Sequence, residues 1–228
     1  MLALLYDIHG NLPALEAVLE DAGKRGADRW LLGGDMAAFG AWPAEVVARL
    51  RELEGAQWIR GNTERWLGDA SELPEDAPTL PALHAARAAL GPAVVTELVG
   101  LPERLTLLEG HFCHASPLND MQSFGREPGE GEERLIDGVQ AQRIVFGHTH
   151  LQFTRPGPAG VELVNPGSVG MPLDGDHRAA YALIDEESGV LPRRVAYDHE
   201  TAASALAERF GTAPWTELFA GRLRRAAL

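Results

Sequence analysis

Five short clusters in this 228-residue chain carry side chains able to bind a metal ion. They are Asp7-Ile8-His9, Gly34-Asp35, Gly61-Asn62, His114, and Gly147-His148-Thr149-His150. In Asp7-x-His9 and His148-x-His150, the spacing of two lets both side chains face the same way as a strand finishes. Two ligands then reach one cation, or two adjacent cations, without a bend in the chain. The pooled donors are imidazoles, carboxylates and one amide. Such a mixed nitrogen and oxygen set suits Mn, Fe, Zn or Ni, and poorly suits a calcium site built of oxygens alone. Each cluster is weak by itself, since Asp-x-His arises often by chance and Gly-Asn is commonly a turn. The weight lies in all five falling where a strand is expected to end.

Hydrophobic patterning supplies the elements that must position them. Residues 2–6 form a continuous apolar run of strand length, which suits a strand buried on both faces. Asn11 fits a helix N-cap with Pro13 behind it, and Leu12, Leu15, Leu19 and Ala22 then recur at helical spacing. Residues 30–32 form a second strand. Pro43 opens a helix whose buried face is Val46, Val47, Leu50 and Leu53, and residues 57–60 form a third strand. This alternation is that of a mostly parallel sheet, in which ligands sit beyond the carboxyl ends of the strands. Residues 72–101 are rich in Ala, Leu and Pro and read as one or two helices flanking or capping the sheet. Further strands are expected at 105–108, 110–114, 143–147, 151–154, 161–165, 179–184 and 190–197. A short helix is expected at 135–142, and closing helices at 201–210 and 214–225. The polar stretch 116–133 is a long loop of the kind a compact domain usually keeps for function.

Composition narrows the partners. Thirty-three acidic against twenty basic residues give a net charge of −13, which repels phosphate backbones and argues against duplex nucleic acid. The 45% hydrophobic and 23% charged fractions exclude a disordered or fibrous chain. A single cysteine, Cys113, permits neither a disulfide framework nor a thiolate metal cluster. The apolar start lacks a basic segment and meets Asp7 too soon for a signal peptide, and no run approaches the roughly 18 apolar residues of a membrane helix. A complete cytoplasmic chain with no membrane partner is therefore expected.

Taken in order, the five clusters resemble the calcineurin-like metallophosphoesterase superfamily. Three longer stretches narrow the resemblance: Gly34-Asp35 followed by Gly40 and Pro43, His114-Ala115-Ser116-Pro117, and the run from Asn165-Pro166-Gly167-Ser168 to Asp174-Gly175-Asp176. The last is similar to a small bacterial branch of predicted phosphodiesterases related to diadenosine tetraphosphatases. The resemblance spans roughly residues 1–197. It implies an α/β fold, a four-layer α-β-β-α sandwich, as a single domain over residues 1–228 with a small helical cap at about 72–101. It also implies a two-metal site. Asp7, His9, Asp35 and His150 would hold the first ion, and Asp35, Asn62, His114 and His148 the second, with the Asp35 carboxylate bridging. Asp35, Asn62 and His114 would be the catalytic groups. Two divalent ions, Mn foremost with Fe, Ni or Zn as alternatives, would activate a hydroxide toward phosphorus. The implied reaction is hydrolysis of phosphodiester or nucleotide phosphoanhydride bonds in a small, nucleotide-like substrate. The alternatives are a phosphomonoesterase or serine/threonine phosphoprotein phosphatase, and a non-catalytic scaffold on the same fold.

Departures from the family pattern matter as much. Gly-Asn is usually followed by His and a carboxylate, whereas here the run is Gly61-Asn62-Thr63-Glu64. Thr63 cannot act as an acid near neutral pH, and Glu64 keeps the place of the carboxylate that would have oriented the missing His. Asn62, Thr63 and His177 are candidate substrate contacts, His177 because it follows a loop the family places near the site. Tyr6 stands where Ser is usual and is expected to pack. Cys113 should point away from His114 into the core, while His111 should lie at a surface turn. His84 and His199 have no partner cluster. Phe39 and Trp42 read as core, with stacking on a nucleobase as the other reading. Arg60, Arg65 and Arg126 are candidates for a second phosphate. Arg222, Arg224 and Arg225 read as favourable charge at the end of the last helix.

Overall fold

The structure, a computed structural model, describes residues 1–185 and 188–228. Strand β1 (Leu2–Leu5) is buried along its whole length because it runs through the middle of a sheet. Helix α1 (Leu12–Lys24) starts at Asn11, whose side-chain oxygen accepts from the Ala14 N–H at 3.2 Å. It carries the chain back to β2 (Arg29–Leu32), parallel to β1. Helix α2 (Pro43–Arg51) does the same for β3 (Gln57–Trp58), which pairs over two residues only. Helix α3 (Asn62–Gly68) begins directly on the Gly61-Asn62 cluster. Helix α4 (Thr79–Val99) fills the Ala/Leu/Pro-rich stretch and breaks at Gly91, whose φ of 74° is non-helical and immediately precedes Pro92.

A second sheet follows: β4 (Arg104–Leu107), β5 (Gly110–Cys113), β6 (Arg143–Val145), β7 (Phe153–Pro156) and β8 (Glu162–Asn165). Its order is β4-β5-β6-β8-β7, with β5, β6 and β8 parallel and both edges antiparallel. The chain then returns to the first sheet as β9 (Ala179–Asp185) and β10 (Gly189–Val195), giving β10-β9-β1-β2-β3. Helices α5 (His199–Phe210) and α6 (Pro214–Arg225) close the chain. Among the described residues, no helix is long and apolar enough to cross a membrane.

The pleat sorts side chains into layers. Leu2, Leu4, Tyr6 and Leu31 of the first sheet meet Phe112, Val145 and Val164 of the second, while Ala3, Leu5 and Leu32 face the helices. The α/β sandwich is therefore the expected one, with an unusual fourth layer. The outer face of the second sheet (Cys113, Ile144, Phe146, Leu163) is covered by Phe124, Leu135 and Ile136. These come from the 116–136 stretch, which holds one 3-10 turn at Glu132–Ile136. The helix expected at 135–142 is absent because Gly138, at φ 75°, turns the chain away. The long polar loop thus packs a sheet face as well as reaching the strand ends.

Candidate metal centre

All five clusters converge at the carboxyl ends of β1, β2, β3, β5 and β6, but not by the route expected. Asp7, His9, Asp35, His148 and His150 all lie in the left-handed region, with φ of 53°, 47°, 56°, 66° and 59°. Each such non-glycine residue costs about 1–2 kcal/mol. Tight left-handed turns, rather than the strand pleat, aim the paired ligands. A brace holds them. Ser168 Oγ donates to the Asp7 carbonyl at 2.6 Å, and Val169 and Gly170 N–H donate to the Tyr6 and Asp7 carbonyls at 3.0 Å. Asn165 Nδ2 donates to the Gly147 carbonyl and to Thr149 Oγ1, both at 3.0 Å. The 165–170 segment therefore ties the Asp7 turn to the His148 turn.

The histidine tautomers follow from their outer partners. Nδ1 of His9, His114 and His150 donates to the carbonyls of Ala38, Gly33 and Met171 at 3.1, 2.9 and 2.6 Å. A carbonyl only accepts, so each neutral ring carries its proton there and aims an Nε2 lone pair inward. Nε2 of His9 and His150 are 3.0 Å apart, and Nε2 of His114 lies 2.9 Å from Asn62 Oδ1. His148 Nδ1 lies 2.9 Å from that same oxygen. Lone pairs facing each other at such distances repel unless a cation stands between them. About 3 Å is also the spacing of two ligands at right angles on a cation with bonds of roughly 2.1 Å. Asp7 Oδ1 is buried without a hydrogen-bond partner, while its Oδ2 accepts from the His148 N–H at 2.9 Å. The residues present fit divalent cations.

Asp35 divides its carboxylate between two directions. Oδ1 lies 3.5 Å from His114 Nε2 and accepts from the Thr63 N–H at 2.9 Å, while Oδ2 lies 3.8 Å from His9 Nε2. Asp7 is shared as well: its Oδ1 is 3.6 Å from His150 Nε2 and 3.9 Å from His114 Nε2. Two candidate donor groups result, Asp7-His9-His150 and Asp7-Asp35-His114, each with ligand atoms within 4.8 Å of one another.

Burial sets the electrostatics. It drives the Asp7 carboxyl well above the usual range, with the Asp35 charge adding to it, and pushes Asp35 up to about 6. Burial also lowers His148, helped by His114, to about 4, and His150 to about 3. The protein alone disfavours charge on every one of these groups, and a divalent cation reverses that for the carboxyls. The pH dependence of loading therefore changes its cause. The sequence places proton competition at imidazoles near their ordinary value of about 6.5. In the fold these imidazoles stay neutral to lower pH, and the buried Asp7 and Asp35 carboxyls are the groups that hold protons, Asp35 taking one as pH falls through about 6. Metal binding must displace those protons, so affinity should fall about tenfold or more per pH unit below this point. Calorimetric titration with Mn at pH 5 and pH 7.5 checks this, and equal affinities would contradict it.

Of the other expectations, those for Glu64, Thr63, His177, His111 and the three arginines are corrected, while Phe39, Trp42, Tyr6 and Cys113 pack as expected. Glu64 is buried and its carboxylate accepts from the N–H groups of Asp35, Met36 and Gly61 at 2.7, 2.8 and 2.9 Å. It locks the Asp35 and Asn62 loops together and is not free to orient an imidazole. Gly61 must remain glycine, since a Cβ there would lie 2.3 Å from Asp35 Oδ1. Thr63 is fully buried, with its N–H on Asp35 and no open face for substrate. His177 is not brought to the cluster: its Nε2 donates to the Arg224 carbonyl at 2.6 Å and its ring lies 4.4 Å from that of His199. His111 is buried on β5 rather than at a surface turn, and its Nε2 has no partner. Arg60, Arg65 and Arg126 are held by Glu103, by Asp120 and Glu72, and by Asp174. Phe39 is sandwiched between His9 and Phe219, and Trp42 packs against the helical core, so neither is free for a base. Tyr6 packs between the sheets, with its hydroxyl donating to the Val145 carbonyl at 3.3 Å. Cys113 is buried on the outer face, away from His114.

The same architecture recurs in known proteins. Residues 1–189 match the calcineurin-like phosphoesterase superfamily domain, and the chain belongs to that metal-dependent superfamily. Phosphodiesterase YfcE of Escherichia coli K12 is 30% identical over 198 residues, covering 82% of this chain and 89% of that protein. A protein of Methanocaldococcus jannaschii is 28% identical over 226 residues, covering 89% and 90%. The crystal structure of a metallophosphoesterase from Sphaerobacter thermophilus superposes with a TM-score of 0.81 at 25% identity, covering 99% of this chain and 98% of that one.

Proposed function

We propose that this protein is a dimetal phosphoesterase that hydrolyses phosphodiester or nucleotide phosphoanhydride bonds. The observation that carries the reading is the Asp35 carboxylate, one oxygen toward His9 and the other toward His114, as a group shared by two cations requires. The name of the YfcE relative supports the same reaction class. Two bound divalent ions, Mn foremost, would lower the pKa of a shared water and neutralise charge on the phosphoryl group.

The chain's own residues do the rest. The carbonyls of Ala38, Gly33 and Met171 hold three imidazoles in the tautomer that presents a lone pair. Asp7 and Asp35 supply the negative charge, and Asn62 joins His114 and His148 through one oxygen. Buried walls around these donors strengthen every electrostatic contact with a phosphoryl centre. A small soluble phosphate compound is the fitting substrate, and a cytoplasmic location suits it. The net charge of −13 weighs against duplex nucleic acid. The convergence of the seven candidate ligand residues on one buried centre supports the enzyme reading over a scaffold.

The test is a substrate screen with Mn and Ni, covering aryl diesters, cyclic nucleotides, dinucleoside polyphosphates and phosphopeptides. Diesters and phosphoanhydrides should lead, with activity lost to a chelator. Phosphopeptides leading would favour the phosphatase alternative. No retained metal and no hydrolysis would favour the scaffold.

A further inference from the structure

The metal centre is open to solvent on one side. Of its seven candidate ligand residues six are buried, and His148 alone is part-exposed. A substrate therefore meets the His148 side first. The Met121 backbone is a hydrogen-bond partner of the His148 ring, and the Asp120 charge acts on His148, His114 and Asp35. The loop that leaves β5 after His114 thus borders the opening. Its shape is fixed by its own bonds. Ser116 N–H donates to the Asn119 carbonyl at 3.1 Å, and Asn119 Oδ1 accepts from the N–H groups of Met121 and Gln122 at 3.0 and 2.7 Å. Arg65, one turn along α3 from Asn62, donates to both Asp120 oxygens at 2.7 and 3.0 Å.

Two large apolar side chains stand out from this loop, Leu118 at 53% exposure and Met121 at 42%. Among the described residues only Leu108, at the β4–β5 turn, and Leu228, the last residue, are large, apolar and comparably exposed. Leu118 also lines a cavity of about 140 Å³, whose walls include His114, Asp120, Arg65 and Arg104. The cavity therefore adjoins a candidate ligand directly. A space of about 150 Å³ holds one benzene ring. Its two arginines differ. Arg65 is engaged by Asp120 and Glu72, whereas no carboxylate among the described residues pairs with Arg104. Arg104 makes one long bond, at 3.4 Å to the Pro117 carbonyl. A planar guanidinium so lightly held is suited to the face of an aromatic ring.

We propose that this cavity binds a single aromatic ring that the substrate carries as an ester group, with Leu118 as apolar wall and Arg104 as cationic contact. The assignment rests on reading the centre as a phosphoesterase site. A phosphoryl group under attack belongs between the donor groups that Asp35 joins. An ester group on its His114 side then meets the cavity, and Met121 stands at the opening between them. One ring fills the volume. A fused double ring exceeds it, and a small alkyl group leaves it part-empty and draws nothing from Arg104.

The test is calorimetric binding of three phosphonates, whose C–P bond resists hydrolysis, to Mn-loaded protein. Phenylphosphonate should bind about tenfold tighter than methylphosphonate, and 1-naphthylphosphonate no tighter than phenylphosphonate. Leu118→Ala and Arg104→Gln should each weaken phenylphosphonate about fivefold and leave methylphosphonate within about twofold. Both side chains are exposed, so neither change should disturb folding. Leu108→Ala, at the far end of β5, should match the wild type. Mn uptake should be the same in all four proteins. Equal phenyl and methyl affinities in the wild type, a further gain with naphthyl, equal losses for both anions in the variants, or altered Mn uptake would overturn the assignment. Binding needs no turnover. A ring preference in a protein that hydrolyses nothing would retain the subsite and remove the phosphoesterase reading, whereas hydrolysis without ring preference would do the reverse.

Discussion

Asp35→Asn should abolish hydrolysis, by roughly a thousandfold or more, the scale on which several kcal/mol of lost charge stabilisation acts. The substitution preserves shape but leaves one oxygen where two are used, one facing His114 and one facing His9. Its amide N–H group would then point at an imidazole lone pair and bond to it, closing the space a cation needs. At least one metal should be lost. A change at the rim, such as His148→Ala, should cost less, because His148 belongs to one side of the centre only. Folding is not the confounder it would be elsewhere: burial disfavours the Asp35 charge, so the metal-free variant should melt no lower than the wild type. Full metal content with normal turnover in Asp35→Asn would remove the bridging assignment.

The second large effect concerns the leaving group. Thr63 stands where the family resemblance leads one to expect His and is fully buried, Glu64 is committed to three backbone N–H groups, and His177 is tied to the Arg224 carbonyl. None of the three can hand a proton to a departing oxygen. General acid catalysis contributes roughly 10²–10⁴-fold, and most for leaving groups of high pKa. Aryl esters and phosphoanhydrides should therefore be cleaved faster than alkyl phosphomonoesters by a factor in that range. A plot of log kcat/KM against leaving-group pKa should be steep and negative, and a shallow slope would mean another residue supplies the proton. The run Thr63-Glu64 suggests that Thr63→His would restore an oriented acid. The fold predicts otherwise. An imidazole has no room at Thr63, overpacking there costs about 1–3 kcal/mol, and Glu64 has no free oxygen to orient it.

The convergence of the seven candidate ligands was legible because metal-competent residues follow the expected strands, and parallel sheets gather such positions at one edge. The turns that aim them were not. Nothing local marks Asp7, His9, Asp35, His148 and His150 as left-handed, because the brace that stabilises them comes from Asn165, Ser168 and Gly170, far along the chain. Glu64 was misread for the same reason: its three partners lie on two separate loops. His111 alternates with Phe112 on β5, so strand pairing decides its burial, and its position next to the β4–β5 turn misleads. Phe124 shows how a polar loop hides one core residue that covers a sheet face.

The most direct test of the account is hydrolysis of bis(p-nitrophenyl) phosphate measured against Mn bound per chain, from metal-free protein to saturation at pH 7.5. Two ions sharing Asp35 predict saturation at two per chain, with turnover appearing only as the second is taken up. Saturation at one ion with full turnover, or two ions bound with no turnover, would contradict it.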